Sequence, residues 1–410
     1  MHWSRASHHS FLSLSTTTIM PSAHFQHLRI AVLATILALT HAQTYNLQQD
    51  LSGNNFFSGF KFNESAIDFN NFGNVHFLSQ SAANDAKLTF VDGNGHAIIK
   101  VDNTTNGAGD PTFGRNTVYL MSNQLMDIGS LLIFDVNHIP FGCSVWPSLF
   151  TQGQVWPAQG EIDIIVNLAT DNRFSLHVGD PNCNQPTSVA SNQTGTISTA
   201  NGDLSNCTVT PATGDNTIGC VTTETKPNSF GSGFASQGGG VFASLWDVTG
   251  VAFWYFPRGS VPGDISVNNK SPNPTTWGKA SAWYPASSCD PTKAFGPQII
   301  TLVGLSCAFA GVQSLWAPNS GPSCASVAPN CSAAVTDPAN YNDAYWDINY
   351  LRVFTTGAVN ASNSQSAGGS QTASAPGSGP TGAASSLRSA GIHELFVLPG
   401  ALLLLGLLSL

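Results

Sequence analysis

Charged side chains are scarce in this 410-residue sequence: Asp, Glu, Lys and Arg make up 9% of it, and the net charge at pH 7 is −9. Proteins that bind nucleic acid present clusters of Lys and Arg to the phosphates. The sequence has no such cluster, which argues against a nucleic-acid partner. It also lacks a long segment with helical periodicity, which argues against a helical fold.

The eight cysteines never occur as a C-x-x-C pair, so a structural zinc site is a weak interpretation. An even number of cysteines in an exported chain is typical of disulfide bonds. The sequence alone does not choose among the many possible pairings. We expect no cofactor, and the sequence leaves open whether a metal ion binds. The cysteines are Cys143, Cys183, Cys207, Cys220, Cys289, Cys307, Cys324 and Cys331.

The first 42 residues have the composition of a secretory signal rather than of a folded domain. Met20 is a possible start, because the chain after it leads into the apolar run Ile30–Leu39 and then into the small-residue site Thr40-His41-Ala42. The apolar run is too short to span a membrane. We therefore predict that residues 1–42 are a signal-peptide region and that the protein is secreted.

The chain ends in a polar linker and an apolar tail. Residues 356–394 are dominated by Ser, Gly, Ala and Thr, a composition that cannot form a packed core. Residues 395–410 are largely apolar, and the small residues 382–386 precede them by a spacer typical of a glycolipid-anchor signal. We predict a GPI-anchored protein of the cell surface or cell wall; a tail-anchored protein is the alternative.

Between these ends, residues 43–355 show short apolar runs separated by Gly, Pro, Asn and Asp. This pattern is typical of an all-β sandwich or jelly roll. The clearest predicted strands are Ala97–Val101, Ser130–Val136, Val241–Trp246, Val251–Phe256 and Gln298–Val303.

The stretch Gly160–Val166 alternates acidic and aliphatic residues, as in a β-strand with two unlike faces. Glu161 and Asp163 are predicted to share one face, and Ile162 and Ile164 the other. Two adjacent carboxylates repel each other. A common chemical reason for such a pair is a carboxylate nucleophile with a partner that tunes its proton affinity. A solvated strand edge is the alternative.

The surroundings of this strand carry a family resemblance. The segment 138–147 reads H-I-P-F-G-C-S-V-W-P, the segment 155–166 contains W-P-A-Q-G-E-I-D-I-I-V, and the segment 174–177 reads F-S-L-H. Together with later segments in the same order, they resemble the family 16 glycoside hydrolases, in particular the fungal laminarinase-like β-1,3(4)-glucanases.

The resemblance implies a β-sandwich, a concanavalin-like jelly roll, with a concave cleft that binds a β-glucan polysaccharide. It implies that Glu161 is the nucleophile and that Asp163 is the helper that adjusts its charge. Trp146, Trp156 and His177 fall on positions that bind substrate in the family. We expect a monomer.

Residue 166 departs from the family pattern. That pattern, E-x-D-x-x-E, ends in the acid/base, and this position is Val166. In relatives with a regular strand the acid occupies the fifth position, here Ile165, whereas a β-bulge moves it to the sixth. Neither residue titrates. Phe150 and Leu245 stand where relatives carry Trp and Glu, which predicts a further weakened site.

Three hypotheses follow for the function. The first is a retaining glycosidase with a relocated acid, for which Asp171, Asp180 and His177 are the nearest candidates in sequence. The second is a glucan-binding wall protein that has lost catalysis. The third is a structural wall protein with a vestigial cleft.

Deleting residues 395–410 should release the protein into the medium, because an anchor signal of this kind is needed for attachment. A phospholipase that cleaves glycolipid anchors should release the intact protein from cells. Release is measured by immunoblotting of medium and membrane fractions. Extraction by detergent but not by the phospholipase would contradict the anchor.

Overall fold

The computed structural model describes residues 44–68, 71–166, 171–198, 205–210, 218–311, 313–317 and 324–357. The predicted signal region 1–42, nearly all of the linker and the apolar tail lie outside these residues. Within the described residues, no helix has the length and hydrophobicity needed to cross a membrane.

Among the residues that the structure describes, antiparallel pairing builds two large sheets, each of eight strands. The strand order of the first sheet is Ala282–Pro285 (β16), Gly250–Pro257 (β15), Gly240–Asp247 (β14), Ser130–His138 (β8), Tyr345–Thr355 (β18), Ala97–Lys100 (β5) and Thr89–Val91 (β4), with Asn46–Ser52 (β1) also paired to β18. The order of the second sheet is Thr196–Ile197 (β12), Cys220–Thr223 (β13), Arg173–His177 (β11), Glu161–Val166 (β10), Val145–Gly153 (β9), Gln298–Ser306 (β17), Tyr119–Met126 (β7) and Phe60–Phe62 (β2).

The remaining elements are short. Val75–Phe77 (β3) and Arg115–Thr117 (β6) form a parallel pair. The described α-helices are Gln80–Asp85 (α1), Gly231–Ser236 (α2), Pro291–Ala294 (α3), Gln313–Trp316 (α4) and Cys331–Val335 (α5). Single 3-10 turns lie at Gly53–Asn55, Phe57–Gly59, Thr187–Ser191, Arg258–Ser260, Gly263–Ile265, Pro274–Thr276, Ala308–Gly311, Cys324–Ser326 and Pro338–Tyr341. The all-β prediction is confirmed, and all five of the clearest predicted strands are present.

The main core lies between the two sheets. On β8, Leu132, Phe134 and Val136 belong to this core, whereas Leu131 and Ile133 belong to an apolar cluster on the outer face of the first sheet. Both faces of β8 are therefore covered, which explains its nearly continuous apolar sequence. Trp346 on β18 joins the sheets: its indole Nε1–H donates to the Val303 carbonyl on β17 at 3.1 Å.

Disulfide bonds pair all eight cysteines, as their even number predicts. The pairs are Cys143–Cys324, Cys183–Cys289, Cys207–Cys220 and Cys307–Cys331. Two of them hold the segment that follows β17: one attaches it to the loop before β9, and the other closes it on the end of β17 itself. The cysteines are thus structural, and within the described residues none is free to bind a metal.

Replacing Trp346 with Ala should lower the free energy of unfolding by about 3–5 kcal/mol, because a buried indole leaves a cavity and its hydrogen bond between the sheets is lost. The free energy is measured by chemical denaturation. The matched control is Trp156→Ala, since Trp156 is 41% exposed; its effect should stay below about 1 kcal/mol. Equal losses in the two variants would contradict this account of the core.

Candidate active site

A β-bulge in β10 determines which residues share a face with the carboxylates. Asp163 lies opposite Phe150 on β9 and opposite Ser175 on β11, but on both sides the next paired residues are out of step by one position. Ile164 and Ile165 are both fully buried in the main core. A regular strand would turn only one of these two neighbours inward.

Because of this bulge, Val166 lies on the same face of the sheet as Glu161 and Asp163. We call this face the open face. Its partners are Ser148 on β9 and Arg173 on β11. Arg173 shares a face with Ser175, since residues two apart on a strand point the same way. Ser175 bonds Asp163, so Val166 and Asp163 lie on one face. The sixth position of the motif, and not Ile165, therefore lies on the face of the two acids.

The two carboxylates are held by a short network of hydrogen bonds. Trp156 donates its indole Nε1–H to Glu161 Oε2 at 2.5 Å. Ser175 donates its hydroxyl to Asp163 Oδ2 at 2.5 Å, and His177 Nε2 lies 3.0 Å from the same oxygen. Asp163 is only 4% exposed. The buried aspartate is thus fixed from β11, and the glutamate is held from the loop before β10.

Burial, which is the largest cause, and the nearby charge of Asp163 together raise the pKa of Glu161 to about 8. His177 and the indole of Trp156 act in the opposite direction, since both favour the carboxylate. Neutral pH lies below this pKa, so Glu161 is mostly protonated there.

The predicted binding aromatics flank this pair. Trp156 lies at the Glu161 end and is 41% exposed. Trp146 lies at the start of β9, beyond the residue that faces Val166, and packs with Phe150 on an apolar floor. That floor includes Tyr119, Val303 and Leu305, which the sequence reasoning did not single out. The period-2 alternation of β7 and β17 is the signal that could have indicated them.

Ser175 and Arg173 are further residues of the site that the sequence reasoning missed. Both share the face of His177, which was recognised, and lie two and four positions before it on β11. The expectation that Leu245 weakens the site is wrong, in contrast. Leu245 lies on β14 of the first sheet and packs against the outer apolar cluster, on the far side of the core. Its departure from the family pattern removes nothing from the surroundings of Glu161.

None of the three candidate acids occupies the position of Val166 on the open face. Asp171 lies outside β11, two residues before Arg173, the residue that pairs with Val166. Asp180 accepts a hydrogen bond from the Asn182 backbone N–H at 2.9 Å within a turn. His177 pairs with Glu161 itself, at the other end of the site from Val166.

One group of side chains in the described chain also has the composition of a cation site. A carboxylate oxygen of Glu161, one of Asp163 and a ring nitrogen of His177 all lie within 4.8 Å of one another. Asp163 already accepts from Ser175, and Glu161 accepts from Trp156. A metal ion would have to compete with these bonds, so the arrangement favours acid chemistry.

Comparison with known proteins places this site in a family. The description "XgeA-like, catalytic GH16 domain" matches residues 60–354. The endo-1,3(4)-beta-glucanase of Arthroderma benhamiae is 32% identical over 336 residues, which cover 80% of this chain and 69% of that protein.

Two solved structures share the fold. Laminarinase 16A from Phanerochaete chrysosporium, with β-glucans in its donor and acceptor sites, superposes with a TM-score of 0.67 at 30% identity over 76% of this chain and 100% of that one. An elongating GH family 16 β-1,3-glucosyltransferase gives 0.65 at 32% identity, with the same coverage. The family match, the two-sheet fold and the pair of acids on the bulged strand agree: this chain belongs to glycoside hydrolase family 16.

Proposed function

We propose that the protein binds β-1,3(4)-glucan along the open face of the second sheet and that its hydrolysis of this glucan is impaired. The observation that carries the proposal is the bulge that places Val166 on the face of Glu161 and Asp163. Support for the substrate comes from the similar glucanases and from the β-glucans bound in the similar laminarinase. The composition of residues 1–42 and of residues 356–410 supports a secreted, surface-anchored location.

Glycoside hydrolysis with retention of the anomeric configuration requires two carboxyl groups, roughly 5–5.5 Å apart. One attacks the anomeric carbon while the other protonates the departing oxygen. A valine side chain cannot donate or accept a proton. General acid–base help is typically worth about 10²–10⁴-fold in rate. The same group normally activates water in the second step, so both halves of the reaction are slowed.

The residues expected to carry out the nucleophilic attack, Glu161 and Asp163, are both present and held in place. Glu161 is hydrogen-bonded by Trp156 and lies beside Asp163, the arrangement of a held and tuned nucleophile. Its raised pKa keeps it mostly protonated at neutral pH, and a protonated carboxyl is a poor nucleophile. This observation favours the glucan-binding protein without catalysis as the second candidate function.

With a substrate whose leaving group needs no proton, attack by Glu161 and departure of the leaving group should still occur. An activated aryl β-glucan oligosaccharide should form a covalent glycosyl-enzyme on Glu161, detected by mass spectrometry of the intact protein. Azide should accelerate its breakdown, because an anion needs no base. Laminarin should be hydrolysed about 10²–10⁴-fold more slowly than by an enzyme with the acid.

The control for this experiment is Glu161→Gln, which keeps the size of the side chain and removes the attacking oxygen; it should form no adduct. Hydrolysis of laminarin by the wild-type protein at the rate of ordinary family members would contradict an impaired site. A relocated acid would then have to be identified.

The rate of aryl release should rise with pH through about 8, the pKa to which burial and Asp163 raise Glu161. The sign follows from the charge: the attacking form is the carboxylate, and it gains population only as pH passes the pKa. Stopped-flow absorbance of the released aryl alcohol measures the profile. A rate that is constant across this range, or that falls, would disprove the assignment of Glu161 as a protonated nucleophile.

A further inference from the structure

Arg173 begins β11 on the open face. Its partner across β10 is Val166, and it alternates with Ser175 and His177, both of which bond Asp163. The side chain of Arg173 is exposed. The guanidinium therefore belongs to the surface on which a glycan would lie, beside the position where an acid/base carboxyl is missing.

Arg173 differs from the other arginines of the described chain in having no protein partner. Arg115 donates to the Val335 carbonyl at 2.8 Å, Arg258 pairs with Asp135 at 2.7 Å, and Arg352 bonds Asp50 at 3.2 Å. Among the residues that the structure describes, the Arg173 side chain makes no hydrogen bond or ion pair. In a chain with 14 Lys and Arg against 23 Asp and Glu, an unpaired cation in the site is notable.

The residues that pair with Arg173 across the sheet do not neutralise its charge. Val166 and Ser148, the next residues across the sheet, are neutral. Asp163 is already bonded by Ser175 and His177. A glutamate at position 166 would face the guanidinium and have its pKa lowered, which would make it a poor acid. Val166 and Arg173 together therefore suit an anion better than they suit proton transfer.

We propose that Arg173 binds a carboxylate of the glycan, so that the open face takes a β-glycan carrying uronic acid residues in preference to a neutral one. The inference rests on the proposed function, since it names the substrate class of the same face. The planar guanidinium matches a carboxylate with two parallel hydrogen bonds. A single guanidinium carries one positive charge, which matches a carboxylate better than a doubly charged phosphate monoester.

The test compares neutral laminarin with laminarin oxidised at C6 to carboxylates, each titrated into the full-length protein by isothermal calorimetry. The wild-type protein should bind the oxidised glucan about tenfold more tightly, the lower range expected for hydrogen bonds to a charged group. Arg173→Gln should abolish this preference, and Arg173→Lys should retain part of it. Lys87→Gln removes one exposed charge far from the site and should leave the preference intact.

The outcomes separate the two proposals. Equal binding of both glucans by the wild-type protein, or a preference that survives Arg173→Gln, overturns the role of Arg173 and leaves glucan binding standing. Absence of binding to either glucan overturns both proposals. Laminarin phosphorylated at C6 serves as the third ligand; if it binds more tightly than the oxidised glucan, phosphate rather than carboxylate is the anion and the proposal is wrong.

Discussion

The bulge at Ile164 fixes the arrangement of the site because it is enforced by the core. Ile164 and Ile165 both lie in the apolar interior between the sheets, and turning either outward would expose an aliphatic side chain and open a cavity. The packing of these two residues thus sets the direction of residue 166. The open face takes its composition from this constraint: two acids, then a valine, with the serine and arginine of neighbouring strands beside it.

Much of the architecture could be read from the sequence, because strands with one buried face repeat their apolar residues every two positions. Glu161 and Asp163 were placed correctly on one face for that reason. The direction of Val166 could not be read in this way. Residues 164, 165 and 166 are all aliphatic, so either register satisfies the pattern, and only the pairing with β9 and β11 distinguishes them.

Other properties of the site depend on contacts between residues distant in sequence. Ser175 on β11 bonds Asp163 on the neighbouring strand β10, and the apolar floor joins Trp146 to Tyr119, which pairs with β17 rather than with β9. The proton on Glu161 depends on its burial, which sequence does not give. Leu245 shows that a departure from a family pattern need not affect the site. It lies on the outer face of the first sheet, and the main core separates it from Glu161.

The hydrogen bond from Trp156 to Glu161 also makes the indole sensitive to the state of the acid. A carboxylate accepts this bond more strongly than a protonated carboxyl does, and indole emission responds to the strength of the bond that its N–H donates. Trp246 and Trp346 are 1% and 0% exposed and pack in the core. Trp156, one of nine tryptophans, should therefore contribute a part of the intrinsic fluorescence that follows the ionisation of Glu161 without substrate.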